Sequence, residues 1–142
     1  MLTGEFRHSI DVKNRIFMPA KLREEMGEVF MVACDIRQKC LKVYSLEGWQ
    51  AYIAPIKQQR RELAERIMRM LHSTASQVTP DAQGRILLPQ FLIRDIGIDK
   101  ACVIVGVSDH FEIWPAEAYD AFDDETDGNF EELAESLTEM LS

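Results

Sequence analysis

Two stretches decide how this chain folds: Asp11-Val-Lys-Asn-Arg-Ile-Phe-Met-Pro19 and Asp81-Ala-Gln-Gly-Arg-Ile-Leu-Leu-Pro89. Set against each other at an offset of 70 residues, they share Asp, Arg, Ile and Pro, and both are apolar between the Ile and the Pro. The offset runs on without a gap, pairing Leu22 with Leu92, Gly27 with Gly97, Glu47 with Glu117 and Ala51 with Ala121. Between these identities Val43/Ile113, Tyr44/Trp114, Trp49/Tyr119 and Tyr52/Phe122 keep their physical character. A chain that repeats itself in this way consists of two copies of one unit.

Each copy reads in the same order. Glu5 to Ile10 alternates apolar and polar residues, the period of a half-buried strand, and the D-x-x-x-R stretch that follows predicts the turn of a hairpin. That turn needs positive φ near its fourth residue, which Gly84 supplies freely and Asn14 tolerates better than most side chains. Pro19 and Pro89 then open short helices that stop at Gly27 and Gly97. Apolar runs at 29–34 and 101–107 predict buried strands, each followed by a partner strand and a helix signalled by Ser45 or Pro115.

Two segments are read as standing outside the repeat. Ile56 to Leu71, after Pro55, predicts one amphipathic linking helix; at the end Phe130, Leu133, Ala134, Leu137, Met140 and Leu141 form an apolar stripe on an acidic helix, after the polar link 123–129. The expected organisation is a first unit at 1–52, a linking helix within 53–76, a second unit at 77–122 and an acidic C-terminal segment at 123–142. The fold class is mainly β with helices, α+β.

The 142 residues include 46% apolar residues, enough for a core, yet carry a net charge of −8, which repels phosphate. The charge is unevenly spread. Residues 1–80 hold thirteen Lys and Arg against nine Asp and Glu, whereas 81–142 hold three against fifteen. A basic footprint at one end therefore remains open. Cys34, Cys40 and Cys102 show no C-x-x-C spacing and read as reduced packing residues; a Cys34/Cys40/His110 metal site lacks a fourth ligand and a tight pair. No cofactor or metal is expected. No acid, base and nucleophile set can be assembled from the spacing, so an enzyme is the weakest class. No signal peptide and no membrane-spanning stretch is evident, which predicts a cytoplasmic protein; nucleoid association is expected only with DNA binding.

The paired D-x-x-x-R stretches, the I-x-x-P that follows each, and Gly4 and Phe6 at the start together resemble the MraZ family of bacterial transcriptional regulators. The resemblance implies two fused AbrB-type swapped-hairpin units forming a pseudo-two-fold double-split β-barrel. It also implies double-stranded DNA as partner, bound through the hairpins, ring-like homo-oligomers without membrane attachment, and repression of the family's own division and cell-wall gene cluster at repeated promoter sites.

On this reading the DNA-contacting residues are Arg15, Lys13, Asn14, Arg7, Lys21, Arg23, Arg85 and Gln83, with Asp11, Asp81 and Gly84 shaping the turns. Arg offers a donor fork that fits a phosphate or the O6 and N7 acceptors of guanine. The alternative is an ion pair with Asp11 or Asp81. The repeat and the flanking Arg7, Lys13, Lys21 and Arg23 favour DNA for Arg15 and make the first hairpin the expected main contributor; for Arg85 both readings stay open. The basic faces of the linking helix, interrupted by Glu62 and Glu65, read as solvated, and Tyr44, Trp49, Trp114 and Tyr119 as core. A second class of function is an antitoxin-like or protein-interaction module acting through the acidic C-terminal helix.

Overall fold

The computed structural model describes residues 1–35, 40–125 and 130–142. The element order is β1 (Glu5–Ser9), β2 (Arg15–Phe17), α1 (Ala20–Met26), β3 (Phe30–Asp35), β4 (Cys40–Ser45), α2 (Leu46–Lys57) and α3 (Arg61–Thr74). The second half follows with β5 (Ser76–Val78), β6 (Arg85–Leu87), α4 (Gln90–Ile96), β7 (Ala101–Val107), β8 (His110–Pro115), α5 (Ala116–Glu125) and α6 (Phe130–Leu141). The α+β class holds. Residues 126–129 of the expected polar link, and the side chains of Phe122 and Phe130, lie outside the description.

The strands flanking each turn do not pair with one another as a hairpin would. All pairing is antiparallel, in a six-stranded sheet ordered β1-β7-β8-β4-β3-β5 and a separate two-stranded ribbon of β2 with β6. Read from either end, the sheet order is the same under exchange of the halves. The first strand of each half borders the other half's long strand: Glu5 to Ser9 run against Val105 to Ala101, and Ser76 to Val78 against Val32 to Phe30. β2 and β6 pair across the pseudo-dyad, Ile16 opposite Ile86. Among the described residues the pairing closes no barrel. The physical reason is that the ribbon hydrogen-bonds to itself and lies over the sheet, leaving β1 and β5 as edges.

Side-chain alternation makes the sheet the middle layer. Phe30, Val32, Leu41, Val43, Ile104, Phe111 and Ile113 face the ribbon and the helices α1 and α4, and meet Ile16, Met18, Leu22, Ile86, Leu88 and Leu92 in one core. Phe30 and Phe111 meet edge to face at 6.2 Å. Full burial of each such side chain is worth about 1.5–3 kcal/mol, so the ribbon is anchored by its inward isoleucines. On the opposite face, Ala33, Tyr44, Trp49 and Ile53 form one cluster with α2 and α3, and Val103 and Trp114 form another with α5. The four aromatic residues read as core take that role: Tyr44, Trp49 and Trp114 are buried and Tyr119 packs against Trp114.

The linking helix differs from its expectation. Pro55 lies inside α2 instead of preceding a helix, and the break falls at 58–60, where Gln58 and Gln59 make only short-range bonds to Pro55 and Ile56 carbonyls. Pro55 removes one intrahelical donor and cannot continue the ladder; α2 runs two residues further, to Lys57, and ends. Pro19 and Pro89 occupy the cap position, extended at ψ 138° and 139°, one residue before α1 and α4.

Candidate nucleic-acid interface

The two turns are built alike. Asp11 Oδ1 accepts hydrogen bonds from the backbone N–H groups of Lys13 and Arg15, both at 2.9 Å, and Asp81 Oδ1 accepts from Gln83 and Arg85 at the same distance. The backbone closes each loop, Asp11 N–H to the Arg15 carbonyl at 2.9 Å and Asp81 N–H to the Arg85 carbonyl at 2.8 Å. An aspartate side chain that mimics a backbone turn needs a short carboxylate at that position. Bonds from the backbone of Arg15 and Arg85 are the largest cause holding the Asp11 and Asp81 carboxyls below their ordinary range.

Positive φ falls at the fourth residue of both turns, 63° at Asn14 and 80° at Gly84. Each turn is locked by the other half: the Asn14 carbonyl accepts from Leu88 N–H at 2.8 Å, and the Gly84 carbonyl from Met18 N–H at 2.9 Å. Asn14 Nδ2 also donates to Gln90 Oε1 at 2.7 Å. The turns therefore sit side by side as one rigid pair, the setting in which loops carry recognition residues.

Both arginines are part-anchored. Arg15 Nε donates to Asp11 Oδ2 and Arg85 Nε to Asp81 Oδ2, each at 2.9 Å, so the ion-pair reading is realised for the inner edge of each guanidinium. Arg85 Nη1 also lies 3.8 Å from Asp11 Oδ2. Arg15's ion pair among the described residues is with Asp11, through Nε. Lys13, Gln83 and Val12 are exposed at the tips.

The remaining expected contacts are dispersed. Arg7 lies on the sheet face opposite the ribbon, bonded to Asp120 of α5 at 2.8 Å. Lys21 Nζ donates to Thr3 Oγ1 at 3.0 Å. Arg23 stands at the second turn, not the first: a Cβ on Gly84 would come within 2.7 Å of its guanidinium carbon, while its Nε donates to the Met18 carbonyl at 3.0 Å and the group lies over Phe17. The basic flank of Arg15 is thus Lys13, and the second turn gains a cation from the first half. Sequence proximity did not report this: Arg7 falls on the outward alternation of β1, and Arg23 is carried by α1, whose seat against the second turn is a tertiary contact.

Away from the turns, Cys34, Cys40 and His110 are not brought together as one site. Asp35, Cys40 and Glu112 bring ligand-type atoms within 4.8 Å of one another. Lys42 Nζ, 3.4 Å from Asp35, supplies a cation there, and burial, ahead of the nearby Glu112 and Asp35 carboxylates, raises the Cys40 thiol above its ordinary range. Cys102, buried, is pushed up to about 11. For His110, burial opposes the charged form, but Glu112 and Asp109 outweigh it and raise its pKa. Among the described residues no helix is long and apolar enough to cross a membrane.

A chain whose two halves exchange strands and hold paired turns at their pseudo-dyad is a tandem-repeat protein in which neither half completes its sheet alone. Comparison with known proteins agrees on the duplication: the family model described as "MraZ protein, putative antitoxin-like" matches twice, over residues 1–71 and 70–141. Proteins named transcriptional regulator MraZ are similar over nearly the whole length. That of Ligilactobacillus salivarius is 38% identical, covering 99% of both chains, and that of Limosilactobacillus reuteri 42%, covering 96% of this chain and 97% of its own. That of Thermoanaerobacter sp. is 39% identical over 99% of each. This chain belongs to the MraZ family.

The second family match runs to 141 and exposes a repeat signal that the reading of two extra segments missed. Glu62-Leu-Ala-Glu65 in α3 recurs as Glu132-Leu-Ala-Glu135 in α6, and Met70-Leu71 as Met140-Leu141, all at the offset of 70. α6 is the repeat counterpart of α3.

Proposed function

We propose that this protein is a sequence-specific DNA-binding transcriptional regulator whose paired turns read double-stranded DNA, and that it represses its own division and cell-wall gene cluster from repeated short promoter sites. The carrying observation is the cross-locked pair of turns with Arg15 and Arg85 held by their inner nitrogens. An arginine fixed by its Nε presents its outer edge already oriented, so less side-chain freedom is lost on binding phosphate or guanine. We read the exchange of strands between halves as two swapped-hairpin units of the AbrB type.

The contact set is Arg15, Lys13, Asn14, Arg85, Gln83 and Arg23. Arg7 and Lys21, engaged elsewhere, act through the general field of the basic half. A net charge of −8 makes a single pair of turns a weak binder, so a homo-oligomer, ring-like, gains avidity on tandem sites. The names of the relatives support regulation of transcription. Footprinting on DNA upstream of the gene tests the reading: a protected run of tandem repeats is expected, and absence of protection at low salt contradicts it.

A further inference from the structure

We propose that α6 of one copy packs against the outer face of α3 and α2 of a second copy, and that this head-to-tail contact builds the assembly; it rests on the oligomeric reading above and deepens it. In the first half α3 is seated on its own chain. Ala64 is buried, and Met68 and Leu71 pack on Ala33, Tyr44, Trp49 and Ile53. Its outer side is not covered: Leu63 and Met70 are 45% and 44% exposed, and Tyr52 of α2 is 39% exposed. A groove of about 230 Å³ runs beside them, lined by Tyr52, Ile56, Ile67 and Met70 among others.

α6, the counterpart of α3, has no such seat. Every side chain from Glu131 to Ser142 is exposed, with Leu133, Leu137, Met140 and Leu141 at the helical spacing of one stripe. The equivalent seat in its own half is closed already, since Val103 and Trp114 are buried under α5. Exposed leucines and methionines in such a row call for a covering surface.

Charge selects the occupant. Glu62 and Glu65 keep their acids at Glu132 and Glu135, but Arg61 and Arg69 are replaced by Glu131 and Glu139 and Arg66 by Ser136, so α3 carries three Arg against two Glu and α6 four Glu with no Lys or Arg. Lys57 and Arg60 add to the α3 side, whereas α6 contributes Glu131, Glu132, Glu135 and Glu139, and no Lys or Arg follows Lys100. Lys57, Arg61 and Arg69 line a second hollow beside α3 together with Ala64 and Met68, so an apolar stripe on an acidic helix meets a partly apolar face on a basic one, the complementarity that selects a partner. A contact between two different surfaces repeats from copy to copy and closes as a ring or runs on as a filament. α2 and α3 lie on the sheet face opposite the turns, so the contact leaves Arg15 and Arg85 free.

The test compares masses by sedimentation velocity at micromolar concentration, with circular dichroism melts to confirm folding. Wild type is expected well above 16.3 kDa. Arg66→Glu/Arg69→Glu makes α3 acidic, and Glu135→Arg/Glu139→Arg makes α6 basic; each alone is expected to fall to smaller species, and an equimolar mixture to regain higher mass, because each then meets an opposite charge on the other. Leu137→Asp, at an exposed site that cannot unfold a core, is expected to lower the mass as well. Wild-type mass in all three variants, or no recovery on mixing, overturns the contact while leaving the oligomer intact. A wild-type mass of one chain overturns the oligomeric reading itself.

Discussion

Asp11 of the first turn lies 3.8 Å from Arg85 of the second, and the same carboxylate oxygen holds Arg15 at 2.9 Å. One oxygen thus serves arginines from both halves. Asp81 has only its own Arg85 as an ion-pair partner among the described residues. Substitutions at Asp11 and Arg85 are therefore expected to be non-additive in DNA affinity, and those at Asp81 and Arg15 additive. Double-mutant cycles by fluorescence anisotropy measure both; equal coupling in the two cycles contradicts the bridging role.

The turns predict an acid limb. Asp11 and Asp81 titrate below their ordinary range in the folded protein, whereas an unfolded aspartate sits near about 3.9. A lowered folded value means that the stabilisation is fully present above the unfolded pKa and is lost as pH falls through the folded one. Melting temperature is expected to drop as pH falls below about 4, and less steeply in Asp11→Asn/Asp81→Asn. An unchanged slope in the double variant means that these carboxylates do not report on folding.

Much of this was legible before any coordinates. The repeat placed both turns, both short helices and the positive-φ residues Asn14 and Gly84, because each depends on local chemistry. What local chemistry does not carry is the identity of a strand's partner. Hence the flanking strands read as hairpins although β1 borders β7 and β5 borders β3. Pro55 suggested a helix start by its preference for first turns; its place late in α2 costs one intrahelical bond, which the burial of Trp49 and Ile53 of that helix offsets and which local sequence does not report. α6 is hidden as a repeat because residues 122–131 share no identity with 52–61, which separates Glu132-Leu-Ala-Glu135 from the matched stretches before it.

The two positive-φ positions are expected to respond differently to substitution. Asn14→Gly loses only the bond to Gln90 and should fold normally, while Asn14→Val forces a β-branched residue to φ 63° at a cost of about 1–2 kcal/mol. Gly84→Ala adds a Cβ 2.7 Å from the Arg23 guanidinium carbon, so it displaces Arg23 and lowers DNA affinity beyond its effect on stability. Urea unfolding of each variant, with DNA titration of the folded ones, checks this. Equal stability of Asn14→Val and wild type contradicts the turn geometry.

Ile16 and Ile86 face one another in the ribbon with no exposed surface. Truncating either to alanine opens a cavity beneath both turns and is expected to cost about 2–5 kcal/mol, read as a lower urea midpoint. A loss below about 1 kcal/mol, the range of a mild core trim, means that the ribbon is not anchored through them.

The most direct test of the central claim is a titration of wild type, Arg15→Ala and Lys13→Ala against tandem-site DNA and scrambled DNA at two salt concentrations. Arg15→Ala is expected to lose about 1–3 kcal/mol per engaged turn and to flatten the preference for the tandem site. Lys13→Ala should weaken both DNAs alike and reduce the salt slope by about one per phosphate contact. Wild-type affinity and preference in a folded, assembled Arg15→Ala protein contradict the assignment of DNA reading to these turns.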